Sequence, residues 1–99
     1  MNEINYFASI VKILENPNQS FFLQNKLMTK FRAQLPQTRS KKIVNLICWG
    51  NLASDVANYY KANDYIIVEG YLALPKQLNS KKVEITVVKV YPFVIGSTR

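Results

Sequence analysis

An all-β barrel of five strands, with one helix between the third and the fourth, is the fold class that this 99-residue chain predicts. Three observations carry that expectation. The stretch from Val44 to Leu72 reads without a break as strand, capped helix, tight turn and strand. Leu27 to Leu35 alternates cleanly between a largely apolar face and a basic, polar one, the mark of a strand with one buried face. Glu15-Asn-Pro-Asn and the region after Pro75 carry turn chemistry that bounds the β-rich runs.

In chain order, Ile4 to Leu14 mixes β-branched and aromatic residues and forms the first expected strand, ended by the turn at Glu15 to Asn18. Phe21 and Phe22 follow in that turn. The second strand, Leu27 to Leu35, places Leu27, Thr29, Phe31, Ala33 and Leu35 toward a core, with Met28, Lys30, Arg32 and Gln34 outward. Pro36 to Lys42 is a polar, basic loop. The third strand, Ile43 to Trp49, sets Val44, Leu46 and Cys48 on one face and Ile43, Asn45, Ile47 and Trp49 on the other. Asn51 is the expected cap of a helix whose stripe of Leu52, Val56 and Tyr60 plugs one end of the barrel. Asn63 beside Asp64 supplies a left-handed residue to end it. Tyr65 to Leu74 is the fourth strand, with a bend or bulge at Gly70, and Pro75 stops it. After the basic turn Lys76 to Lys81 comes the fifth strand, Lys82 to Val90. Five strands with a helix in this position is the order of an OB-fold.

The length accommodates a single domain, residues 1–99 with a core over about 4–93, and leaves no room for a separate catalytic unit. Thirteen Lys and Arg against six Asp and Glu give a net charge of +7, which favours a polyanionic partner, although such charge can also serve solubility alone. No apolar run reaches the roughly 18 residues of a membrane span, and the N-terminus lacks the pattern of a signal peptide, so no membrane partner is expected. The single cysteine, Cys48, lies in an apolar strand and fits a buried thiol in a reducing compartment. With no histidine and only scattered carboxylates, the chain assembles neither a hydrolytic triad nor a metal site. No catalytic residue, metal or cofactor is expected. Abundant Asn, Lys, Ile and Tyr with three Gly suggest an A+T-rich genome, as in organelles or reduced bacteria.

Ile47-Cys-Trp-Gly-Asn-Leu-Ala53, followed at matching separation by Val68-Glu-Gly-Tyr-Leu72, resembles the single-stranded DNA-binding protein family over roughly Asn5 to Phe93. Within it, the small proteins of red-algal and other primitive plastid genomes, with cyanobacterial relatives, look most similar. They share the short length and a turn like Asn16-Pro-Asn-Gln-Ser-Phe-Phe22. The resemblance implies binding of single-stranded DNA, or RNA, by a homodimer or homotetramer in a plastid, with a bacterial cytoplasm as the alternative. Of the family's base-stacking positions, Trp49 keeps an aromatic. Ile43, Gln77 and the loop around Arg39 stand where others are usual, which puts affinity in doubt, since one base stack is worth roughly 1–3 kcal/mol. No acidic stretch follows Val90, so recruitment of partners through an acidic tail is not expected.

Trp49 is the first candidate for base stacking, against the alternative that it packs on the helix. Tyr71 shares a face with Glu69 and Ile67 and is a candidate to stack beside Trp49, or else serves the structure. Lys30, Arg32, Arg39, Lys41 and Lys42 form an expected phosphate groove with Asn45, and Lys76 and Lys82 repeat the charge on the later hairpin. Tyr6, Phe7, Phe21 and Phe22 are assigned to the core or a dimer seam, and Tyr59, Tyr60 and Tyr65 to the core or a subunit contact. The expected function is single-stranded DNA binding without sequence preference, in replication, repair or recombination. The alternative is an assembly module similar to primosomal barrels, with weak or lost nucleic-acid binding.

Overall fold

The computed structural model of the protein describes residues 5–23, 25–36, 41–73 and 83–94. In chain order it carries β1 (Tyr6–Ile13), β2 (Asn18–Phe22), β3 (Lys26–Leu35), β4 (Lys42–Trp49), α1 (Gly50–Tyr59), β5 (Tyr65–Ala73) and β6 (Glu84–Pro92). The strands pair in the order β1-β5-β6-β4-β3-β2, and a further pairing of β1 with β3 closes the ring. The result is the expected five-stranded OB barrel of β1, β3, β4, β6 and β5, with β4 and β6 parallel. Among the described residues no helix is long and apolar enough to cross a membrane.

Period-2 alternation builds the interior. Phe31 and Ala33 of β3, Val44, Leu46 and Cys48 of β4, Ile66 and Val68 of β5 and Ile85 of β6 are buried, as are Val11 and Ile13 of β1. Ala53 and Val56 of α1 join this core, and Leu52 and Tyr60 pack partly against it. The buried Thr29 hydroxyl donates to the Ala53 carbonyl at 2.8 Å, tying α1 to β3 with its polar group satisfied. Burial alone pushes the Cys48 thiol up to about 12.

Several expectations need correction. Asn18 to Phe22, read as turn, is strand β2, paired with β3 from Asn18↔Lys30 to Phe22↔Lys26. All five residues are exposed, so backbone pairing forms this strand without any apolar alternation to announce it. The helix starts at Gly50, one residue before the expected cap. Trp49 is the extended N-cap residue, with no side-chain cap bond. The chain passes from β4 straight into the helix through Gly50 at φ 66°, a left-handed conformation that glycine adopts without a Cβ penalty. Tyr60 lies just beyond the helix rather than within its stripe. The last strand runs from Glu84 to Pro92, two residues later at each end than expected.

Other expectations hold. Asn63 takes φ 77° after α1. The irregularity expected at Gly70 is a bulge: Glu69 faces Lys89 and Gly70 faces Val87, leaving Val88 as the extra residue on β6. A Cβ on Gly70 would lie 2.2 Å from the Thr86 carbonyl oxygen, so the two backbones can approach only because this residue is glycine.

Candidate nucleic-acid interface

Residues opposite one another on paired strands share a face, and on the outside of the barrel they form rows across the sheet. One row is Tyr6, Tyr71, Thr86, Ile47, Lys30 and Asn18. Beside it run Glu84, Asn45 and Arg32. Trp49, Met28 and Ser20 lie on the other side. Ile43, Gln34, Lys12 and Tyr65 form a further row, beyond that of Arg32.

Trp49, half-buried at the end of β4, is framed by the β2–β3 hairpin. Phe22 meets its ring edge-on, with centroids 5.6 Å apart at 77°, and the Lys26 Nζ sits 4.6 Å from the ring centroid. Phe22 and Lys26 are direct partners in the hairpin, so the pairing register itself delivers both to the indole. Phe22 is 46% exposed and Phe21 69% exposed, which places them on the surface rather than in the core. An aromatic cluster carrying an ammonium group can offer a π-face to a base and a charge to the adjoining phosphate.

The central cations are already engaged. Lys30 reaches diagonally across β4 to Glu84, Nζ to Oε2 at 3.2 Å. Arg32 donates from Nε to Glu15 Oε1 at 3.1 Å and from its backbone N–H to Glu15 Oε2 at 2.9 Å. Asn45 is half-buried between Arg32 and Glu84 in its row, and its backbone N–H donates to the Val83 carbonyl. Lys41 and Lys42 are exposed at the start of β4. Arg39, Lys76 and Lys82 lie outside the described residues, as does Gln77.

Tyr71 does not stack beside Trp49: β6 lies between its strand and β4. It meets Tyr6 edge-on, with centroids 5.6 Å apart. Both rings are about half exposed, and the Tyr6 hydroxyl donates to Glu69. That hydrogen bond, followed by desolvation and the Glu69 charge, pushes Tyr6 up to about 12. Tyr6 is therefore a surface residue of the barrel and not part of its core. Tyr59 and Tyr65 are exposed too, while burial and then Asp64 raise Tyr60. Sequence reasoning missed Lys26, Glu15 and Glu84 as members of this surface. Alternation could place Lys26 and Glu84 on an outward face, whereas Glu15 lies in the turn after β1, and the contacts depend on a hairpin register and on diagonal reach that alternation does not carry.

No family model matches the chain. It is 41% identical over 105 residues, 95% of this chain and 93% of the relative, to the "Putative single-stranded DNA-binding protein ycf41" of Trieres chinensis. The chain belongs to the single-stranded DNA-binding protein family. The resemblance carried by Ile47 to Ala53 and Val68 to Leu72 thus points to the right family. Among solved structures, this family member superposes with a TM-score of 0.78 on the second single-stranded DNA-binding protein of Mycobacterium smegmatis, at 26% identity, covering 98% of this chain and 99% of that one. The SSB domain of a Synechococcus protein gives 0.78 at 20% identity over 92% and 98% of the two chains. The small single-stranded DNA-binding protein of Streptomyces coelicolor gives 0.76 at 15% identity over 95% and 96%, and these last two share the fold.

Proposed function

We propose that this protein binds single-stranded DNA, and RNA through the same chemistry, without base-sequence preference, in support of replication, repair or recombination. The observation that carries the reading is the cluster of Trp49, Phe22 and Lys26 on the outside of a closed barrel. It combines the sequence-tolerant stacking surface and the phosphate-seeking charge that such binding needs. The name of the Trieres chinensis relative and the net charge of +7 support it. Bases stack at Trp49, while Lys41, Lys42, Arg39, Lys76 and Lys82 add to the field that draws in the backbone. Lys30 and Arg32 join once a phosphate displaces their carboxylates.

In this reading the chain works as a single domain by equilibrium binding, without catalysis. Its relative from a diatom plastid genome supports plastid residence. Homodimers or homotetramers would form by covering the edge of β1 that β3 leaves unpaired beyond Lys12 and Ile13. An assembly module with weak nucleic-acid binding is the second reading, favoured by the pairing of Lys30 and Arg32 with Glu84 and Glu15.

A titration with an oligo-pyrimidine strand of about 30 nucleotides, following Trp49 fluorescence at several salt concentrations, decides between them. Strong quenching with a steep salt dependence is expected. No quenching and no binding at low salt would leave the assembly reading.

A further inference from the structure

Lys12 is half-buried on the outer face, opposite both Gln34 of β3 and Tyr65 of β5. It stands where the barrel seam opens. β1 pairs with β3 at Lys12 and Ile13 and then diverges, and a pocket of about 210 Å³ occupies the notch. Ile10, Leu35 and Pro36 give it apolar walls, Lys12 and Gln34 give it a cation and an amide, and Tyr65, 44% exposed, contributes an aromatic ring. This is small beside the roughly 300–1,000 Å³ of a drug-sized site, and suits one planar ring with a charge at its rim.

The charge pattern argues for what enters. Lys30 and Arg32, in the middle of the β3 track, are each paired with a carboxylate. At the two ends of that track, Lys26 and Lys12 form no ion pair among the described residues, and each stands with an aromatic ring: Lys26 over Trp49, Lys12 opposite Tyr65. A phosphate reaching either end has no carboxylate to displace. From Met28, opposite Trp49, to Gln34, opposite Lys12, the strand rise gives a separation of roughly 20 Å. The ~4–16 nucleotides that one OB fold covers can bridge it.

We infer that the Lys12–Gln34–Tyr65 notch is a second subsite for one nucleobase and its phosphate, at the opposite end of β3 from Trp49. The inference rests on the single-strand-binding reading above. A strand anchored at Trp49 runs along β3 over the ion-paired centre and seats a further base against Tyr65, with Lys12 on the neighbouring phosphate.

The test compares oligothymidylates of about 2 nucleotides, too short to reach from Trp49 to Tyr65, and of about 16 nucleotides on the full chain, with Trp49 quenching as the readout. Tyr65→Ala should weaken binding of the long strand by roughly 5- to 150-fold, the equivalent of one lost stack of about 1–3 kcal/mol, and leave the short strand unchanged. Tyr65→Phe, which keeps the ring, should bind both strands as the unmodified protein does. Lys12→Met should weaken the long strand and flatten its salt dependence. Long-strand affinity unaltered in Tyr65→Ala overturns the subsite, as does an equal loss at both lengths, which would mark general damage. A changed sedimentation coefficient of Tyr65→Ala without DNA would assign the notch to a subunit contact and overturn it too. If the unmodified protein binds neither strand, the failure belongs to the function proposed above and not to this subsite.

Discussion

If single-stranded DNA crosses the centre of the outer face, Glu84 and Glu15 are its competitors, and removing their charge should strengthen binding. The Lys30 Nζ to Glu84 Oε2 distance is 3.2 Å, and the two side chains are 44% and 37% exposed. A pair so open to solvent is worth about 0.2–1 kcal/mol. That energy must be given up when a phosphate takes the ammonium group, so Glu84→Gln should raise affinity by roughly 1.4- to 5-fold. The salt slope should steepen by up to about 0.7, the increment for one more phosphate neutralised on a single strand. Glu15→Gln should act likewise on Arg32, and the amide oxygen keeps an acceptor for the Arg32 backbone N–H now bonded to Glu15 at 2.9 Å. The two pairs share no partner, so their effects should combine to roughly 2- to 25-fold in the double variant. The assay is the Trp49 fluorescence titration over a salt series, beside Lys30→Ala and Arg32→Ala, which should lower affinity. An unchanged affinity and slope in the double variant, with the alanine variants also neutral, would take Lys30 and Arg32 off the path of the strand.

Other outcomes follow from the fold. Gly70→Ala would force a Cβ to 2.2 Å from the Thr86 carbonyl oxygen and should cost about 1–3 kcal/mol, lowering Tm by roughly 4–8 °C per kcal/mol in a thermal melt. Cys48, whose thiol is pushed from 9.0 to about 12, should react with a thiol reagent at about pH 8 roughly a thousandfold more slowly folded than denatured; equal rates would contradict its burial. Tyr6, raised from 10.0 to about 12, adds stability that is full below pH 10 and lost as pH rises from 10 to 12, because the folded state holds its proton longer. Ultraviolet absorbance titration should show raised tyrosines, of which Glu69→Gln brings Tyr6 back down and leaves Tyr60 raised, and no change on that substitution would break the link to Glu69.

The barrel was legible because its inner face obeys one rule. Phe31 and Ala33, and Val44, Leu46 and Cys48, alternate with residues that face outward, and Gly70 marks the bulge by lacking a side chain. β2 escaped the same reading because Asn18 to Phe22 are exposed throughout, so no difference between faces exists to be seen. The helix starts two residues before the position that an Asn51 cap implies, for a related reason. Asn51 offers a side-chain cap, but it is Gly50, by its left-handed backbone, that turns the chain. For the site, the sequence assigns Trp49, Lys30 and Arg32 to an outward face, and there they stand. What surrounds them depends on register across strands far apart in the chain: Phe22 and Lys26 at Trp49, Glu84 at Lys30, Glu15 at Arg32, Tyr6 at Tyr71. Each pairing becomes definite only when the ring closes.

A formal charge of +7 therefore overstates the attraction at the middle of the face and understates the role of its ends. Where Lys30 and Arg32 are held by carboxylates, an incoming phosphate exchanges one ionic partner for another, and the net gain is small. At Lys26 the ammonium group lies over an indole instead. A phosphate drawn to it brings its base toward Trp49 and Phe22, so charge and stacking add within one nucleotide. In the proposed reading such an arrangement would let Trp49 hold a strand with aromatics absent at Ile43 and Gln77, because the cation beside it would act on the same nucleotide rather than on a distant phosphate.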